Sequence, residues 1–303
     1  MNAFKQSKLL TAGAVILALG FTGCSSVNND VEALSDEDIS LAAEILGQSV
    51  SDNSSGVLSS MYDAVSDIGT AGISYGDAAL FKSADPRNDD GRGRERNFSY
   101  SYDPETGIHS MSYERSVVRD EFSKSVSVNQ QHIFTTLTGR FIQFPRANRD
   151  SIETIDFIGN KSGESSSPRR ENAFSRIDTM NIDGLHSSSS SIVFNGTHNG
   201  SGSASAVLRD GSEVSRDYEV NLEYIDVAIE KDSVVAYGNL EQGVTGTFNY
   251  SMVMNRIVDG EPEETVVEGT IELVGDGTAL LEFRQVRRTF RIFLDEGEVE
   301  ENS

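Results

Sequence analysis

From about residue 94 the chain is written in period two. Tyr218, Val220, Leu222 and Tyr224 share one parity, and Glu219, Asn221 and Glu223 take the other. Val244, Phe248, Tyr250, Met252 and Met254 repeat the pattern, as do Val267, Ile271 and Leu273, and earlier Phe98, Tyr100 and Tyr102. Successive side chains of a strand point to opposite faces. Such alternation therefore dictates a sheet with one face hidden and one face in water. Turn signals punctuate the strands at Asp103–Gly107, His198-Asn199-Gly200, Asp210-Gly211, Asp259-Gly260 and Gly275-Asp276-Gly277. Asx-Gly pairs suit tight hairpins because they accept positive φ. Short connections make neighbouring strands antiparallel, since parallel pairs need long crossovers.

Further strands are expected over Val126–Thr136, Gly139–Phe144 and Ile152–Ile158, with a polar loop from Asn160 to Glu171. A weak internal repeat sets Ser191-Ile192-Val193-Phe194-Asn195-Gly196 beside Ser233-Val234-Val235-Ala236-Tyr237-Gly238. Ahead of the strands the period changes. Ser35 stands as an N-cap before Asp36, Glu37 and Asp38, and Ile39, Ala42, Ala43, Leu46 and Val50 recur at helical spacing. After a break at Asp52–Gly56, Val57, Leu58, Met61, Tyr62, Val65 and Ile68 do the same. The expected fold is mainly β: a large twisted antiparallel meander sheet, as a barrel or half-barrel, with two short N-terminal helices packed on it. Phe98, Tyr250, Met252, Met254, Phe283 and the two helix stripes are the candidates to fill its interior.

The amino terminus carries a different message. Lys5 and Lys8 precede a 13-residue apolar run, Leu9 to Phe21, and small residues lead to Cys24. A positive start, a short apolar core and a small-residue cleavage site make a secretory signal. A helical span needs about 20 apolar residues, so this run is too short to be one. Phe21-Thr22-Gly23-Cys24 resembles the lipobox of bacterial lipoproteins, with Phe where that family usually has Leu. The resemblance implies a diacylglyceryl group on the Cys24 sulfur, cleavage before Cys24 and acylation of its new amino group. No other cofactor is expected. The absence of Asp at Ser25 implies, by the same resemblance, the outer membrane of the cell envelope. The division expected is 1–23 signal peptide, 24–34 lipidated cysteine and polar tether, 35–70 helices, 71–295 β domain and 296–303 acidic tail. A transmembrane β-barrel would alternate too. The lipobox, the lack of tryptophan and the acidic end argue against one.

The whole chain carries 48 acidic against 25 basic side chains. Removing Lys5 and Lys8 with the signal shifts the formal charge from −23 to −25. Charge of that size favours solubility and opposes binding to nucleic acid and to anionic lipid. Cys24 is the sole cysteine, so no disulfide can brace the fold and no cysteine-based metal centre can form.

Candidate chemistry is sparse. Gly72-Ile73-Ser74-Tyr75-Gly76 has the G-x-S-x-G spacing of a hydrolase elbow, but no buried strand precedes it. Asp85, Asn88, Asp89 and Asp90 offer oxygen ligands suited to calcium, although the EF-hand register fails and nearby arginines balance the acids. His109, His132, His186 and His198 form no metal-binding spacing. Arg284, Arg287, Arg288 and Arg291 are read as cross-strand partners of glutamate on a late strand. Without a convincing catalytic constellation, a non-enzymatic envelope protein is expected, held at the membrane by its lipid. The hidden face either encloses an apolar ligand or lipid, similar in general plan to the outer-membrane receptor for lipoproteins, or is packed solid. In the second case the protein is a scaffold that binds another envelope protein.

Overall fold

A computed structural model describes residues 34–52, 56–66, 96–119, 121–207, 213–258 and 261–302. All twelve strands belong to one antiparallel sheet in which each strand pairs with its sequence neighbours, and the sheet does not close. They are β1 (Arg96–Tyr102), β2 (Ile108–Arg119), β3 (Phe122–Thr135), β4 (Thr154–Ser167), β5 (Arg170–Asp183), β6 (Ser191–Val207), β7 (Glu213–Glu230), β8 (Val244–Val258), β9 (Glu261–Val274), β10 (Thr278–Phe283), β11 (Thr289–Phe293) and β12 (Val299–Glu301). Helices α1 (Asp36–Val50) and α2 (Val57–Ser66) precede the sheet, and α3 (Lys231–Tyr237) connects β7 to β8.

The two N-terminal helices cover one face of the sheet, hereafter the inner face. Ser35 caps α1 as expected: its hydroxyl accepts from the Asp38 amide, and Asp38 reaches back to the Ser35 amide. This capping box stabilises a helix start by about 1 kcal/mol. Ile39, Ala42, Ala43, Leu46 and Val50 then meet Val57, Leu58, Met61, Tyr62 and Val65 of α2 and the inner side chains of the strands in one continuous core. Phe157, Phe194, Tyr224 and Phe248 are its largest fully buried members. Tyr250, Met252, Met254 and Phe283 are buried as the alternation required, whereas Phe98 on the outermost strand is half exposed. Ion pairs fasten the front of α1 to the sheet: Arg256 lies 3.1 Å from Asp38, and Arg288 lies 2.9 Å from Asp36.

Several boundaries differ from the sequence reading. Asn160 to Glu171 is not a loop, because β4 and β5 run through it and leave only a tight turn. Its serines are polar on both faces, so alternation was invisible there. Gly139–Phe144 is not a strand but part of the β3–β4 connection, tied to the sheet by an isolated bridge from Phe141 to Thr135 and by hydrogen bonds at Ile142. His198-Asn199-Gly200 is not a turn but mid-strand in β6. Gly200 leaves space beside the His198 imidazole there; a Cβ on it would lie 2.9 Å from Nε2. The repeat dissolves, since Ser191–Gly196 begins β6 while residues 233–237 are helical and Gly238 closes α3 in the left-handed region. Residues 284–288 connect β10 to β11 rather than extending a strand. Within the acidic end, Val299–Glu301 adds the last strand.

Candidate functional site

The inner face is apolar except beneath α2. Parity is set on β5 by Met180 and Ile182, both buried, so Asp178 and Arg176 must also face inward while Ile177 faces out. Lys161 on β4 lies directly opposite Arg176, and His198 on β6 lies opposite Asp178. Asp63 reaches this group from α2. All five side chains are at most 8 % exposed.

Their geometry closes most of the polar valences. Arg176 donates Nη2–H to Asp63 Oδ2 at 2.7 Å and Nη1–H to the Gly56 carbonyl, one residue before α2. Its Nε lies 3.4 Å from Asp178 Oδ2, and Lys161 Nζ lies 3.6 Å from Asp63 Oδ2. His198 donates Nδ1–H to Asp178 Oδ1 at 2.7 Å, and its Nε2 has no partner among the described residues. Two carboxylates thus balance one guanidinium and one ammonium. Burial alone would raise the Asp178 pKa, but Arg176 and His198 more than offset it and hold the carboxyl below the usual carboxylate range. Burial, aided by Arg176, lowers the Lys161 pKa, against the opposing pull of Asp63.

A second polar tie starts from the neighbouring residue of the same helix. The Tyr62 hydroxyl donates to Glu241 at 2.8 Å and accepts from the Leu240 amide at 2.8 Å. Burial first, then the Glu241 charge, raises the tyrosine pKa, and burial also raises that of Glu241. A third group flanks α2 from β2 and β3. His109 and His132 are cross-strand partners beside Phe134 and Phe157. His109 donates Nε2–H to the Ile142 carbonyl and accepts the Tyr100 hydroxyl at Nδ1. Burial pushes the His132 pKa down to about 3, with the Asp63 backbone that it approaches opposing, and its buried Nε2 has no hydrogen-bond partner among the described residues.

No family model matches the chain, and no curated protein and no solved structure matches it either. The chemistry must therefore be read from the geometry. The Asp178–His198 pair has the arrangement of an orienting acid and a base. It is sealed under α2, however, and a substrate would have to displace the helix. Its evident work is to fix α2 on the sheet. Buried ions cost several kcal/mol each to desolvate, so they persist only where paired and hydrogen-bonded.

The residues singled out by sequence fall elsewhere. Cys24, Ser74, and Asp85, Asn88, Asp89 and Asp90 lie outside the described residues. His198, His109 and His132 come to the inner face, while His186 sits on the β5–β6 connection. Among the described residues no group of three histidines, cysteines or carboxylates is placed to hold a metal ion. Of the four late arginines, two pair with acids as expected, Arg284 with Glu268 and Arg288 with Glu301 at 2.6 Å, both from the β10–β11 connection rather than from a strand. Sequence reasoning passed over Asp63, Lys161, Arg176 and Asp178. Counting back by twos from Met180 places the last two inside, but Ile177 between them is the apolar residue of that pair of positions and stands on the outer face.

Proposed function

We propose that the chain is a lipid-anchored, non-enzymatic protein of the bacterial cell envelope whose β domain is a packed scaffold that presents its outer surface to another envelope component. The observation that carries this reading is the occupation of the inner face by the chain's own helices. Leu46, Val50, Val57, Leu58 and Met61 are fully buried against Phe157, Phe194 and Phe248, where an apolar ligand would otherwise lie. A carrier pocket of ordinary size encloses about 300–1,000 Å³ of largely apolar space. Among the described residues, two half-open grooves of about 370 Å³ each lie instead toward the β2–β3 and β4–β5 turns, one lined by Glu114, Arg115, Ser125, Gly163 and Glu164 among others and the other by Val118, Lys124, Ser165, Ala173 and Asp217 among others. The ionic group beneath α2 supports the same reading, because lifting the helix to admit a lipid would strand four buried charges.

Two measurements test the two halves of the proposal. Expressed in a Gram-negative host and labelled with palmitate, the wild-type chain should take up label and Cys24→Ser should take up none. Label on the variant would refute the anchor. Purified without detergent, a chain beginning at Ser25 should show a clean unliganded mass by native mass spectrometry. A retained lipid would replace the scaffold with a carrier that binds apolar molecules.

A further inference from the structure

The connection between β3 and β4 exposes large apolar side chains that no part of the described structure covers. Leu137 is 62 % exposed, Phe141 48 % and Phe144 62 %, all within eight residues. Isolated surface hydrophobics are ordinary. Three on one connection, in a chain this acidic, call for a partner. The segment is not loosely attached. Phe141 bridges to Thr135, the Ile142 amide donates to the Phe134 carbonyl at 3.0 Å, and His109 holds the Ile142 carbonyl at 2.9 Å. Ile142 and Ile152 are buried in the core. Beneath Phe141, Gly107 has φ of +73°, and a Cβ there would lie 2.5 Å from the ring, so the β1–β2 turn is shaped to seat it. The exposed side chains therefore stand on a rigid platform.

Charge singles out the same segment. Arg140, Arg146 and Arg149 lie among its apolar residues, and residues 136–149 contain no acid. Acids flank it: Asp103 and Glu105 lie on the β1–β2 turn whose Gly107 seats Phe141, and Asp150 and Glu153 lie at its far end, where Asp150 pairs with Arg149 at 3.7 Å. The platform is thus nearly neutral on a strongly anionic chain. We propose that residues 136–149 dock on a phospholipid surface, with Leu137 and Phe144 entering the acyl boundary and arginines meeting headgroup phosphates. Separate apolar side chains projecting from turns fit a fluid surface that closes around each one. Arginine adds planar, bidentate recognition of phosphate while its stem stays among the acyl chains. The biological setting rests on the envelope reading above; the binding itself does not require acylation of Cys24.

The test uses the chain from Ser25 onward, which keeps the compact unit Leu34–Ser303 whole and carries no lipid. The protein has no tryptophan, so Phe144→Trp supplies a single reporter. On vesicles of phosphatidylethanolamine and phosphatidylglycerol its emission should move to shorter wavelength and be quenched by brominated acyl chains. Emission that stays that of an exposed indole at saturating lipid overturns the proposal. Leu137→Ser and Phe144→Ser, without the reporter, should each weaken vesicle sedimentation by about tenfold with an unchanged melting temperature. Undiminished sedimentation of the double variant also overturns it. Loss of palmitate labelling at Cys24 would leave these results standing, so the two proposals fail separately.

Discussion

Arg176→Met should destabilise the folded protein by about 3–5 kcal/mol, the range expected when one partner of a buried ion pair is removed. Methionine keeps most of the volume and deletes the charge. Arg176 is 2 % exposed and is the hub of the group, hydrogen-bonding Asp63 and the Gly56 carbonyl and forming an ion pair with Asp178. Without it, two buried carboxylates face a single ammonium 3.6 Å from one of them. The melting temperature should fall by roughly 10 °C for a chain of this size. Adding Asp63→Leu removes one of the stranded charges and returns the group to neutrality. The double variant should therefore be more stable than the sum of the two single changes by about 1–3 kcal/mol. Thermal and denaturant unfolding of the four proteins checks this. Strict additivity would mean that Arg176 and Asp63 do not act together in fastening α2.

The architecture was legible because each strand of the second half repeats one rule over many residues. Val220, Leu222 and Tyr224 on β7, and Phe248, Tyr250 and Met252 on β8, fix the inner face without further help. Asx-Gly signals at 259–260 stand between strands that do pair, and Asp103–Gly107 and Gly275–Gly277 close hairpins as expected. The rule failed where polarity stopped reporting burial. Ser162, Ser165 and Ser166 gave no contrast between faces, so β4 was cut short at Ile158 and β5 was not foreseen. Arg176 and Asp178 reversed the contrast outright, because Asp178 finds His198 on the neighbouring strand and Arg176 finds its main partner, Asp63, on α2 more than a hundred residues earlier. A pairing at that separation leaves no local trace in the sequence. Tyr237 and Gly238 misled for another reason: a short amphipathic helix and a strand start can share the same few letters, and tertiary position decides between them.

The second large effect is on pH. His132 has an ordinary imidazole value of 6.5 when unfolded, and burial takes it to about 3 in the fold, with His109 pushing the same way and the bond to the Asp63 backbone opposing. Below 6.5 the unfolded chain therefore binds a proton that the folded chain refuses. The stability contributed is complete above 6.5 and is lost as pH falls towards 3, at up to about 1.4 kcal/mol per unit. Between pH 7 and pH 5 the loss from this one side chain is about 2 kcal/mol. Burial lowers the His109 pKa too, which adds in the same direction. Asp178, held low by Arg176 and His198 against its burial, adds a further loss only below the carboxylate range. Glu241 acts with the opposite sign, since burial raises its pKa and its contribution fades as pH rises through that raised value. His132→Phe places a ring of similar size between Phe134 and Phe157 and deletes the titration. Denaturant unfolding at pH 7 and pH 5 should show that the variant has lost about 2 kcal/mol of the wild-type pH dependence. If the variant keeps the full wild-type slope, acid sensitivity originates elsewhere, and the histidines beside α2 serve only as packing.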